Sequence, residues 1–248
     1  MSGVMIVTGG SRGIGAATAR LAAARGYAVC VNYRTNQPAA DEIVKGIAAA
    51  GGAAIAVRAD VSIEADVVRL FRAVDERLGR LTALVNNAGI LERQARVEHM
   101  DAARIDRVFA TNVRGAFVCA REAVTRMSTA RGGSGGAIVN VSSRASQLGA
   151  PGEYVDYAAS KAALETLTVG LAREVAGKGI RVNGVRAGII YTDIHADGGE
   201  PGRVDRLAPT LPMKRGGDAL EVARAILWLL SDEASYSTGT FVDVAGGR

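Results

Sequence analysis

The chain has 248 residues, 48% of them hydrophobic, which is enough for a continuous core in one large domain spanning 1–248. Its 30 basic and 25 acidic residues leave a formal net charge of +5, and the two signs are interleaved without a run of either, which excludes the footprint of a nucleic-acid binder. No apolar run approaches the ~20 residues that span a bilayer, no basic-then-apolar leader opens the chain, and Cys30, Cys119, His99 and His195 are too scattered to ligate a metal; a cytoplasmic protein without metal or membrane is expected.

Residues 4–8 form a short apolar strand, and Gly9-Gly10-Ser11-Arg12-Gly13-Ile14-Gly15 follows at once, ahead of a helical pattern over 14–25. Strand, glycine turn and helix together make a phosphate cradle. The glycines admit a diphosphate to the backbone, and the helix N-terminus stabilises its charge. The second strand, 28–32, ends in Tyr33-Arg34, where a dinucleotide site usually offers an acid to the adenosine ribose. No acid stands there. Arg34 and Arg12 instead suit a 2′-phosphate, so NADP(H) is favoured and NAD(H) is the alternative.

A helix over 39–50 and a third strand over 53–59 lead to Asp60-Val61, placed to meet an adenine edge or to cap the next turn. Ser62 is the expected N-cap of a helix over 62–78. The fourth strand, 81–85, runs into Asn86-Asn87-Ala88-Gly89, whose amides can stiffen a sheet edge beside a ligand. After a charged connection over 91–99, one long helix or two consecutive ones occupy 100–127. Asn112 within it is a poor helix former and marks a kink or a water-holding position.

The fifth strand, 137–142, ends at Ser142-Ser143. A loop to 156 precedes a helix over 157–176 that opens Tyr157-Ala158-Ala159-Ser160-Lys161. Four residues apart, the phenol and the ammonium share a helix face, and a neighbouring cation favours the phenolate. The sixth strand, 181–185, leaves through Ala187-Gly188-Ile189-Ile190-Tyr191-Thr192; a Gly-, Pro- and charge-rich lid or specificity segment follows to 217. A helix over 218–230, N-capped by Asp218, and a strand over 240–244 complete the chain. Uninterrupted strand–helix alternation specifies an α/β fold: one doubly wound parallel sheet of about seven strands with helices on both faces. Ligands then lie beyond the carboxyl ends of the strands, where every motif above falls.

Together, the glycine turn of 8–15, Asn86-Asn87-Ala88-Gly89, Asn112, Ser143 and Tyr157-x-x-x-Lys161 resemble the signature of the classical short-chain dehydrogenase/reductases over essentially the whole chain. The outline is similar to bacterial 3-oxoacyl-carrier-protein reductases and glucose-dehydrogenase-like members. The resemblance implies a Rossmann fold and hydride transfer between a nicotinamide cofactor and a small carbonyl or secondary alcohol. It implies Tyr157 as acid/base and Lys161 as the residue that lowers its pKa and holds the nicotinamide ribose. Ser143 would orient the substrate oxygen, and Asn112 would hold a relay water. Gly9, Ser11, Arg12, Gly13, Ile14, Gly15, Tyr33, Arg34, Asp60, Val61, Asn86, Ala88, Gly89, Gly188, Ile190 and Thr192 join Tyr157 and Lys161 as expected cofactor contacts. A homotetramer is also implied. Alternatives are an NAD-linked alcohol or sugar dehydrogenase of the same family, and a catalytically silent dinucleotide sensor.

Two features depart from the family pattern. Ala187 stands where a proline is usual, which would loosen the turn beside Ile190 and Thr192. The Ser143–Tyr157 spacing is also one residue longer than the commonest. His195 and Glu153 are expected at the surface.

Overall fold

The computed structural model describes residues 3–248. Strands and helices alternate as β1 (Gly3–Val7), α1 (Gly13–Ala24), β2 (Tyr27–Tyr33), α2 (Gln37–Ala49), β3 (Ala54–Arg58), α3 (Glu64–Arg77) and β4 (Leu81–Asn86). They continue as α4 (Ala102–Phe109), α5 (Gly115–Met127), β5 (Gly136–Ser143), α6 (Ala145–Leu148), α7 (Val155–Val175) and β6 (Ile180–Ala187). The last elements are α8 (Ile194–Asp197), α9 (Arg203–Leu207), α10 (Ala219–Leu230) and β7 (Phe241–Val244).

The strands form one 7-stranded sheet in the order β3-β2-β1-β4-β5-β6-β7, with every pair parallel. The chain steps outward from β1 to β3, then crosses back and grows the other way from β4. This opens a crevice at the carboxyl ends of β1 and β4. Because helices cover both faces, the central strands are apolar on both. Val7, Val31, Val85, Val139 and Val185 face α1, α2 and α10. Ile6, Leu84 and Ile138 face α3, α5 and α7 through Phe71, Cys119 and Val175. Each fully buried Leu or Ile contributes about 1.5–3 kcal/mol relative to exposure. Cys30 and Cys119 belong to this interior, and burial pushes both thiols up to about 12.

Four local expectations change. The 100–127 stretch is two helices joined by a π-helical turn, Ala110–Arg114, so the disturbance at Asn112 is a widened turn. Ser62 does not cap α3, whose preceding residue is Ile63. Its hydroxyl and N–H instead donate to Asp60 Oδ1 at 2.7 and 2.9 Å, so Asp60 closes the turn as the sharper acceptor. The loop before Tyr157 contains α6 and left-handed turns at Gly149, Ala150 and Gly152. The 191–217 segment holds α8 and α9, and it is followed by Asp218 at the N-cap of α10, whose N–H donates to Glu221 Oε2 at 2.8 Å. Among the described residues, no helix is long and apolar enough to cross a membrane.

Candidate active site

A cavity of about 860 Å³ opens at the carboxyl ends of the strands and runs from Tyr33 and Arg34, past the glycine turn, to Ser143, Tyr157 and Lys161. Two glycines shape its floor. Gly9 adopts a φ of 61°, which a side chain would strain. A Cβ on Gly15 would lie 2.3 Å from the Gly9 carbonyl oxygen, so turn and helix can close only without one. No side chain caps α1 and no acid stands in its first turn, leaving its N–H groups and positive dipole end to an anion.

Three side chains stitch the ends of four strands into this floor. Thr8 Oγ1 accepts from the N–H groups of Asn87 and Ala88, each at 3.0 Å. Asn87 Nδ2 donates to the carbonyls of Thr8 at 2.9 Å and Gly9 at 3.1 Å, fixing β1 to β4. From β2, Asn32 Oδ1 accepts from the Gly9 N–H at 3.2 Å, while its Nδ2 donates to Ala59 O at 3.0 Å. Asn86, by contrast, points away from the cavity. It is buried and donates to Asn140 Oδ1 at 2.9 Å and Ala116 O at 3.3 Å, and Asn140 donates in turn to Thr168 Oγ1 at 2.8 Å. Its side chain is thus withdrawn from the cavity where a cofactor contact was expected: neighbouring residues on a strand face opposite ways, and Asn87 is the side-chain amide on the cavity side.

The other end of the cavity is built on β5 and α7. Adjacent serines diverge: Ser142 donates to Glu165 Oε1 at 2.8 Å, whereas Ser143 Oγ accepts from the Ala145 N–H at 3.1 Å and reaches Tyr157. Burial pushes the Tyr157 phenol up to about 12, with the Ser143 hydroxyl pulling it the other way. Burial also pushes Lys161 down to about 8. Its Nζ donates to Val141 O at 2.8 Å and lies 5.5 Å from the centroid of the Tyr157 ring, over the face rather than at the hydroxyl. The phenol is thus raised by desolvation, and what pulls it back is the Ser143 hydroxyl rather than the lysine. Asn112 borders the site without lining it. Its Oδ1 accepts from Ile90 N at 2.8 Å, and its Nδ2 donates to Ile90 O at 3.1 Å and Ser160 Oγ at 3.0 Å, docking the π-turn onto the segment after β4 and onto α7.

A family model described as Enoyl-(Acyl carrier protein) reductase matches residues 9–248. Over 245 residues the chain is 62% identical to the Escherichia coli protein named uncharacterized oxidoreductase YgfF, covering 99% of each. This chain belongs to the classical short-chain dehydrogenase/reductase family. Its similarity to the 3-oxoacyl-(acyl-carrier-protein) reductase FabG of Staphylococcus aureus is 37% identity over 242 residues, 98% of this chain and 96% of that one. The structure of a short chain dehydrogenase from Burkholderia cenocepacia in complex with NADP matches it with a TM-score of 0.90 at 34% identity, covering 99% of this chain and 97% of that one. The protein is an oxidoreductase of the CH–OH class with a Rossmann-type nucleotide-binding fold.

In this short-chain dehydrogenase/reductase the cavity gathers Gly9, Ser11, Arg12, Gly13, Ile14, Tyr33, Arg34, Asp60, Val61, Ala88, Gly89, Gly188, Ile190 and Thr192 onto its wall together with Ser143, Tyr157 and Lys161. Gly15, Asn86 and Asn112 stay behind it. The anion-ready helix and the side-chain-free glycine floor fit a dinucleotide diphosphate. Arg34 is exposed, while Arg12 forms an ion pair with Asp197 of α8, across the mouth. Around Ala187 the backbone is held by both neighbouring strands: Arg144 N donates to its carbonyl at 2.9 Å, and Gly188 N donates to Val244 O at 2.9 Å.

Sequence reasoning missed several residues. Asn32 and Asn87 were findable from strand alternation. His195 is buried, contrary to expectation, with its Nε2 3.0 Å from Ile190 O and burial lowering its pKa. Glu153 accepts from Arg203 at 2.6 Å, so it too has a buried partner. Tyr154, Arg203 and Arg248 also line the cavity, each from a part of the chain with no motif.

Proposed function

We propose that this enzyme reduces a small carbonyl compound with NADPH, with Tyr157 as the proton donor. The observation that carries this reading is the shared wall of one cavity: the glycine floor and Arg34 at one end, Ser143, Tyr157 and Lys161 at the other. When bound, NADPH would supply the hydride that the carbonyl carbon accepts. Tyr157, a phenol that is protonated at neutral pH and that burial raises further, gives its proton to the carbonyl oxygen. Ser143, whose lone pair accepts from Ala145 and whose hydroxyl meets Tyr157, would turn its O–H to that same oxygen when the carbonyl enters between them. Lys161, still mainly cationic at pH 7, stabilises the phenolate left behind. Arg34 would hold the 2′-phosphate through charge-assisted hydrogen bonds.

Following NADPH oxidation with a panel of aldehydes and ketones tests the reading. Tyr157→Phe is expected to lower kcat by about 10²–10⁴ while NADPH still titrates normally. Retention of most of the turnover would show that the proton comes from elsewhere. A second reading, an NAD-linked alcohol or sugar dehydrogenase, is favoured by the capture of Arg12 by Asp197, which leaves Arg34 as the available cation. Arg34→Asp separates the two. It should weaken NADPH by roughly tenfold to hundredfold, as loss of hydrogen bonds to a charged group does, and leave NADH unaffected or improved. Equal losses for both cofactors would favour the second reading.

A further inference from the structure

Seven arginines line the cavity, and their partners differ in a way that points to the substrate. Arg12 is paired with Asp197, Arg107 with Glu92, Arg144 with Asp243, and Arg203 with Glu153. Arg34 and Arg93 are exposed to water. Arg248 is half-buried, and among the described residues its guanidinium has no hydrogen-bond or ion-pair partner. Burial, then the like charge of Arg203, pushes its pKa down, against a weaker pull from Glu153.

The backbone of Arg248 is nevertheless firmly placed. Arg144, the residue after Ser143, donates through Nε to the Arg248 carbonyl at 2.8 Å and is itself held by Asp243 Oδ2 at 2.7 Å. Arg248 N–H donates to Ala245 O at 3.2 Å, and Met213 N donates to Gly246 O at 3.2 Å, so the 245–248 turn is clamped between the Ser143 strand end and the 191–217 segment. Arg203 lies over the Tyr154 ring at 5.1 Å, and Tyr154 opens the helix that carries Tyr157. Around this corner Arg203 and Arg206 are paired with Glu153 and Glu200, whereas the Arg248 guanidinium is left without a carboxylate side chain of its own.

We propose that the substrate end of the cavity accepts a carbonyl compound that carries a carboxylate, with Arg248 as the residue that receives it. This rests on the carbonyl-reduction reading and narrows its substrate class. A half-buried guanidinium without a counter-ion is poorly solvated in the free protein, and a planar carboxylate answers it with two parallel hydrogen bonds. The nearby glutamates disfavour a doubly charged phosphate, and a neutral thioester would leave the guanidinium unpaired.

Two measurements on the enzyme saturated with NADP test this. In the first, hexanoate and hexanamide are compared by thermal shift. Hexanoate is expected to bind at least about tenfold more tightly, the value of a charge-assisted contact, and Arg248→Gln to remove that difference while Arg248→Lys retains part of it. In the second, the 2-, 3-, 4- and 5-oxohexanoates are compared with their methyl esters as substrates. An acid should exceed its ester about tenfold in kcat/KM, with the difference in KM, and the ratio should fall toward one in Arg248→Gln. Equal binding of hexanoate and hexanamide, or an acid-to-ester ratio untouched by Arg248→Gln, overturns the proposal. Absence of turnover with every oxohexanoate counts against carbonyl reduction instead, and the binding comparison still decides the role of Arg248.

Discussion

The two ends of the cavity are made of different material. The dinucleotide end is backbone: a glycine turn, an uncapped helix and four strand ends stitched by Thr8, Asn32 and Asn87. The substrate end is side chains: Arg203, Arg206 and Arg248 against Glu153 and Glu200, carried on short helices and turns. Backbone shape follows from local sequence, because phi restrictions and strand ends are local properties. An ion-pair corner follows from tertiary placement alone. One end can therefore stay constant in chemistry while the other is rewritten by a few surface-like residues.

The largest test of this contrast puts one methyl group at each end. Gly15→Ala sets a Cβ 2.3 Å from the Gly9 carbonyl, which belongs to backbone and cannot swing aside. A cost of about 2–3 kcal/mol is expected, read as roughly 30- to 150-fold weaker NADPH binding in a fluorescence titration. Gly202→Ala, at the start of α9, meets nothing within 4 Å and should change neither binding nor stability. Comparable losses at both positions would dissolve the distinction.

A smaller effect is expected from Lys161→Met, where the two ends meet. Burial holds the lysine at about 8, below its ordinary value of 10.5, so folding favours its neutral form. Below pH 8 the lysine is charged in both states and its burial costs stability throughout. Between pH 8 and 10.5 the unfolded chain binds more protons than the folded one, so this contribution to stability rises with pH. Lys161→Met should therefore be more stable than the parent by about 2 kcal/mol at pH 7, with the gap closing toward pH 10 in urea melts, although its turnover is lost. A variant less stable at pH 7 would mean that the bond to Val141 outweighs the desolvation.

The smallest effect is expected where the ends touch at the surface. Arg12 and Asp197 are each about half exposed, and such pairs contribute under about 1 kcal/mol. Asp197→Asn should leave the melting temperature within a few degrees while releasing Arg12 to the cofactor, visible as a modest tightening for NADPH over NADH. Loosened binding of both cofactors would show instead that the pair holds the mouth in shape.

Most of the fold was legible in the sequence, since a parallel sheet writes its strands as apolar runs and its turns as glycines. The residues proposed to handle the proton were found together for the same reason: Tyr157 and Lys161 sit on one helix, and Ser143 at a strand end. The side chains of Asn86 and Asn87 part through the same alternation that separates Ser142 from Ser143, and the one on the cavity side belongs to Asn87. Arg12 and Asp197 are 185 residues apart, so no local pattern announces that they meet. His195 looked like a solvent residue because its burial depends on α8 and α9 folding back over the segment that follows β6.

The π-turn at Ala110–Arg114 has a consequence for how such a chain can change its length. In an ordinary helix each residue advances about 100° around the axis, so removing one residue from this turn would straighten the path from α4 to α5 and swing one helix relative to the other. Ile90 would lose both bonds to Asn112, and Ser160 would lose its amide neighbour. The surplus residue thus works as a vernier between two helices: it sets their relative rotation, and it makes the length of this stretch as constrained as the identity of any side chain in it.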